Sequence, residues 1–291
     1  MMQSKPSFSA HDTHSREIEG YYSSALSNFS DAVGHAVNSS YSAAGLDSGP
    51  RRYWASVLFT RLCTTSLSIL FLCPRSKVNP NGKHWDFGSI ASLSRNLYEC
   101  ALHFFYLAIE PVSEEEWLLR LKVMQLHDCK ERQRMFRAFD PNDPQLARFE
   151  QQADELKQII KKNPCFSRLS QTLQKVVLKA ERPSILTQDE IMQRMGRFDP
   201  KTRGYYRYLS SHAHSFPLAY YRMGEHVRGR GVENEGEKGY IGSTLEFCTE
   251  LLTKSTGGFQ KSFADIVSFV AAKSFNWEVL TGPHERDRFA P

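Results

Sequence analysis

Apolar positions recur at helical spacing through most of the chain, and no run alternates with the period of two that a half-buried strand requires. Helix punctuation is frequent. Asp143-Pro144 and Asp199-Pro200 each place an N-cap aspartate before a proline suited to the first helical position. Ser113-x-x-Glu116 and Thr187-x-x-Glu190 match the capping box. Pro74, Pro111, Asn163-Pro164, Gly196 and Pro217 read as stops. Between these signals the pattern predicts helices at about 16–44, 51–73, 87–109, 113–138, 144–162, 167–180, 187–195, 200–214 and 240–279. Residues 74–83 and 224–242 read as loops, the second a mobile surface segment on account of its six glycines and mixed charge.

The fold class expected is all-α, a bundle of about eight or nine helices. No sharp shift in composition divides the chain, so residues 15–280 read as a single helical domain, with a disordered polar lead-in at 1–14 and a tail at 281–291. The segment 54–73 has the length of a membrane span, but Arg61 and six Ser/Thr residues inside it favour a core helix. An apolar fraction of 41% and a charged fraction of 24% are those of a soluble globular protein. The six cysteines show neither Cys-x-x-Cys nor zinc-ligand spacing, and the polar N-terminus lacks a signal-peptide layout, so reduced thiols in a cytoplasmic protein are expected. No metal or cofactor motif is present in the sequence, and no Gly-rich phosphate loop or nucleophile elbow.

Charge sharpens the picture locally. The chain carries a net charge of +5, yet residues 194–230 hold eight Arg/Lys against Asp199 and Glu225, so the remainder is close to neutral. Three tyrosines, Arg207, His212 and His214 lie together in 205–215. A basic, tyrosine-bearing segment suits RNA or another polyanion; the plainer alternative is a solvated, salt-bridged surface. Helical spacing sets Arg207, Ser211 and His214 on one face, with Tyr208, His212 and Ser215 on the adjacent line. Pro217 disfavours a helical Phe216, which leaves His214 in or just past the last turn, where the macrodipole favours a cation. There it acts as a proton donor beside an arginine that holds phosphate charge, or it simply caps the helix. In the apolar helix 87–109 the only formal charges are Arg95 and Glu99, four residues apart. They form either a buried pair that fixes register or supporting groups in a polar pocket shared with His214.

Two resemblances follow from these residues. Ser94-Arg95-Asn96-Leu97-Tyr98-Glu99, with Tyr208-Leu209-Ser210-x-x-x-His214-Ser215 later, resembles a bacterial all-helical family of unknown function having an Arg-x-x-x-Glu helix and a Leu-Ser-x-x-x-His element. Arg207 followed by His212 or His214 is also similar to the signature of the HEPN superfamily of helical nucleotide-binding proteins and ribonucleases, although Tyr208 stands where a polar residue commonly follows the arginine. The HEPN resemblance implies metal-independent RNA cleavage across a homodimer interface, in toxin or antiphage systems. Its catalytic groups would be Arg207 with His214 or His212, with Arg95, Glu99, Tyr208 and Ser211 as supporting or substrate-binding groups. The other reading is a non-catalytic helical module that binds a nucleotide, nucleic acid or protein partner.

Overall fold

The computed structural model describes residues 10–46, 48–197, 199–221, 223, 228–269 and 275–277, with side chains from His14 onward. Eleven α-helices are present among them: α1 (Ala10–Ser42), α2 (Pro50–Leu72), α3 (Phe87–Phe104), α4 (Glu114–Phe139), α5 (Gln145–Lys162), α6 (Pro164–Ser167), α7 (Gln171–Lys179), α8 (Gln188–Arg194), α9 (Pro200–Ala213), α10 (Pro217–Tyr221) and α11 (Glu235–Phe263). No strand occurs among the described residues, only isolated bridges at Ser76–Asn79 and Trp85–Gly231. The all-α expectation stands, and the count exceeds it by two single-turn helices, α6 and α10. Each is too short to show a periodic apolar face. Of the lead-in expected at 1–14, residues 10–14 belong to α1 and residues 1–9 lie outside the described residues, as does the tail at 281–291.

The chain divides into two compact units, residues 1–109 with 199–291, and residues 110–198. In the first, α1 runs along α11, while α2, α3 and α11 pack on one another and α9 lies on α3. Aromatic rings fill the centre: Phe59 stacks on Phe259 at 4.1 Å, and Phe104 and Phe263 close the cluster. A Cβ on Gly242 would stand 2.8 Å from the Tyr21 ring, so α1 and α11 approach too closely there for a larger residue. α3 continues into a π-helical turn over Phe105–Ile109. Among the described residues α2 is the one helix long and apolar enough to cross a membrane. Here it buries Phe59, Leu62, Ile69 and Leu70 against its neighbours and exposes Thr60, Arg61, Thr64 and Ser68.

The second unit has its own core of Leu119, Val123, Leu126, Phe149, Ala153, Ile160, Phe166, Val177 and Ile185. α4 starts at Ser113, whose hydroxyl accepts from the Glu116 amide, and three glutamates occupy its first turn as the macrodipole favours. The capping box at Thr187 and Glu190 opens α8. Arg120 departs from expectation. With Lys122, Lys130, Arg132, Arg134 and Arg137 it belongs to a charged run that reads from the sequence as a solvated face, yet it is 1% exposed and pairs with Glu110 at 2.6 Å and Glu116 at 2.6 Å.

None of the six cysteines is paired, and five are buried while Cys165 is half-exposed. Burial pushes the thiols of Cys63 and Cys248 up to about 12 and that of Cys100 up to about 11, and it raises Cys73 and Cys129 as well. DTNB added to the native protein should therefore titrate Cys165 well ahead of the others, which should react only on unfolding. Fast reaction of a second thiol would contradict this packing.

Candidate functional site around α9

Asp199 caps α9 by accepting from the Thr202 amide at 2.9 Å, and Pro200 occupies the first turn. At the other end the amides of Ser215 and Phe216 donate to the carbonyls of His212 and Ser211, at 3.2 and 2.9 Å, with Ser215 left-handed at φ 50°. That is a Schellman turn, and it holds His214 at the C-cap. Pro217 then opens α10. The helix buries Thr202 and Leu209 and presents three distinct lines of side chains beside them.

The first line meets α3. Arg95, 7% exposed, donates from Nε to Ser210 Oγ at 2.7 Å and from Nη2 to the Tyr206 hydroxyl at 2.5 Å. Nη2 also pairs with Glu99 at 2.6 Å, and the guanidinium lies 3.9 Å over the Tyr206 ring. Nη1 is buried without a partner. Arg95 and Glu99 do share a site with α9, but the residues they meet are Tyr206 and Ser210. The Glu99 carboxylate sits in the same cluster, so it balances the guanidinium and leaves little attraction for an added anion. This line registers α3 against α9.

The second line is exposed. Arg207 and His214 stand in solvent, and Ser211 is half-buried with its hydroxyl donating to the Arg207 carbonyl at 3.0 Å. Among the described residues neither Lys201 nor Arg207 belongs to an ion pair. The predicted face is thus real and solvent-facing, and Arg95 and Glu99 belong to its neighbour.

The third line is aromatic. Phe87, Tyr208, His212 and Tyr240 contact one another, with ring centroids 4.8 to 6.0 Å apart. Arg228 stacks 3.8 Å over Tyr240, and its Nη2 is 3.5 Å from the Tyr208 hydroxyl. His212 is half-buried with Nε2 covered and unpartnered. Burial, then the Arg228 charge, holds its pKa below the ordinary histidine value, so it is neutral near pH 7. Burial pushes the Tyr208 hydroxyl up to about 12 and keeps it a proton donor.

The turn carrying Arg228 is held from beneath. Glu237, 1% exposed, accepts from the Gly229 amide at 2.7 Å with one oxygen and from the Phe87 amide at 3.1 Å with the other. The Trp85 amide donates to the Gly231 carbonyl at 3.2 Å. Gly229 and Gly231 have φ of 68° and 75°, and a Cβ on Gly231 would stand 2.8 Å from the His84 ring. The sequence expectation of a mobile segment at 224–242 is therefore corrected. α11 already begins at Glu235, and residues 228–234 are tied to the start of α3; residues 224–227 lie outside the described residues. The signal missed is Asn234-x-x-Glu237, an N-cap start that the glycines obscured. The same helix ends at Phe263 rather than 279, with the stretch 270–274 and residues 278–279 outside the described residues.

A separate groove of about 500 Å³ lies between the end of α1 and the start of α2, lined by small and uncharged residues such as Ala43, Gly45, Ser48, Gly49 and Tyr53. None of the residues singled out above lines it, and among the described residues its walls bear no carboxylate, histidine or basic group.

Fold and site together define an all-helical protein of two compact units with a polar helix seam. Residues 52–230, well over half of the chain, match the model of a family described as a family of unknown function, DUF5677, and the chain belongs to that family. The matched span takes in Arg95, Glu99, all of α9 and Arg228. Neither the curated proteins nor the solved structures provide a match.

Proposed function

We propose that this chain binds single-stranded RNA across the exposed face of α9 and the α10 turn that follows. The observation that carries the reading is the pairing of two cations, which have no ion-pair partner among the described residues, with exposed rings. Lys201 and Arg207 stand out from α9, Phe216 from the turn after it, and Tyr220 and Tyr221 from α10, with exposures of 53%, 48% and 76% for the three rings. A solvated, salt-bridged surface would show acidic partners for Lys201 and Arg207, and the described residues supply none. Arginine and lysine follow a phosphate backbone, while rings stack on bases of any identity.

Cleavage is the second reading, favoured by Arg207 and His214 sharing that face seven residues apart, about 10 Å along the axis. In the HEPN-like reaction the ribose 2′-oxygen bonds to phosphorus and the bond to the 5′-oxygen breaks. His214 carries the proton from the first oxygen to the second, and Arg207 holds the charge of the phosphorane.

Fluorescence anisotropy with labelled single-stranded RNA tests binding, and analysis of the RNA ends after incubation tests cleavage. Arg207→Ala should weaken binding and lower the salt slope by about one. Tyr221→Ala should cost about 1–3 kcal/mol. Unchanged affinity in both variants overturns the RNA reading. His214→Ala should retain binding and lose 2′,3′-cyclic phosphate ends. Absence of such ends with the wild-type protein removes cleavage and leaves binding standing.

A further inference from the structure

We propose that Tyr208, His212 and Arg228 form a phosphate-binding site, separate from the exposed Arg207–His214 face and able to hold a single phosphate group. The argument begins with what these three side chains leave unsatisfied. Arg228 is half-buried and has no carboxylate partner among the described residues. It stacks on the Tyr240 face at 3.8 Å and makes one long hydrogen bond of 3.5 Å to Tyr208. A guanidinium has five N–H donors, so most of its capacity is unused by the described residues. Glu237, the acidic group that bears on this corner, has both oxygens engaged by backbone amides.

His212 supplies the second open group. Its Nε2 is buried without a partner, and a buried polar atom in that state costs about 1–3 kcal/mol. Native structures seldom leave such an atom alone. A phosphate oxygen accepting from the Nε2–H tautomer would remove the cost. Tyr208 adds a hydroxyl one helical turn away, protonated throughout the neutral range. One cation and two neutral donors suit an anion with several oxygens, and the Arg228 charge repels a metal ion or a cationic ligand.

The site is also built on rigid supports. Tyr208 and His212 share a face of α9, the rings of Phe87 and Tyr240 hold them from α3 and α11, and the Arg228 turn is anchored through Gly229 and Gly231. It uses none of the residues on which RNA binding was argued, so either can fail alone. Free phosphate, a nucleotide or an RNA backbone would present the same chemistry.

The His212 ring signal in a proton–carbon NMR spectrum of the full chain, assigned by its loss in His212→Gln, gives the test. Titration with inorganic phosphate, with adenosine monophosphate and with a short RNA should each be followed, using adenosine as the phosphate-free control. The signal should shift saturably with the phosphate-bearing probes and stay fixed with adenosine. The tightest of the three identifies the source. Arg228→Lys keeps the charge but loses the fork, and should weaken binding about tenfold. Arg228→Met should abolish it, with the helical circular dichroism unchanged. A response to adenosine, no saturable response to any phosphate, or wild-type affinity in Arg228→Met would each overturn the proposal.

Discussion

Arg120→Ala should destabilise the unit formed by residues 110–198 by about 3–5 kcal/mol. The guanidinium is 1% exposed and bonds Glu110 from Nη1 at 2.6 Å and Glu116 from Nε and Nη2 at 3.1 and 2.6 Å. Glu110 has a side chain only 11% exposed. Removing Arg120 leaves that carboxylate in a poorly solvated setting without the cation at 2.6 Å, although Arg194 still pairs with it at 2.9 Å. The loss comes mainly from the stranded charge, and this predicts an asymmetry. Arg120→Met combined with Glu110→Gln and Glu116→Gln should recover most of the stability, because a neutral set has no charge to strand. Hydrogen exchange of peptides from α4 and α5 reads this unit directly. A loss below 1 kcal/mol in the single variant, or no recovery in the combined one, would show that the cluster is surface decoration.

Arg120 also marks how far the sequence carries. The Glu116–Arg120 spacing was visible, but nothing local says which face of α4 turns inward when its charges run all the way round. Helices with strong caps were legible to within a few residues, as α4, α8 and α9 show, because capping is decided by neighbours in sequence. The face Arg207, Ser211 and His214 was legible for the same reason. Periodicity fixes relative direction around one helix. What lies across from that helix depends on tertiary contacts. Thus Arg95 was correctly marked as a buried charge, while Tyr206 and Ser210, the groups that receive it, follow only from how α3 lies on α9. Arg228 and Glu237 were hidden by their setting, in a glycine-rich stretch that composition assigns to solvent. The contact that reverses this is a carboxylate on two amides 150 and 8 residues away.

Glu237→Ala should cost about 2–6 kcal/mol, from two amides left without acceptors at about 1–3 kcal/mol each. The Phe87 amide belongs to the first turn of α3 and has no partner within the helix. The carboxylate thus caps α3 from α11, in a place where water does not reach. Gly229 receives the other oxygen, and with it the turn that carries Arg228. Two measurements should move together in this variant: exchange of the Phe87 amide should accelerate, and phosphate response at His212 should fall. Glu237→Gln keeps one acceptor and turns an NH₂ group toward the other amide, so it should lose about half as much. Glu246→Ala, which removes an exposed partner of the Tyr21 hydroxyl at 2.8 Å, should stay within about 1 kcal/mol of wild type and serves as the control on the same helix. If Glu237→Ala resembles Glu246→Ala, the carboxylate does not tie the Arg228 turn to α3. If stability falls while the His212 response persists, the turn is held by the Trp85–Gly231 bridge instead.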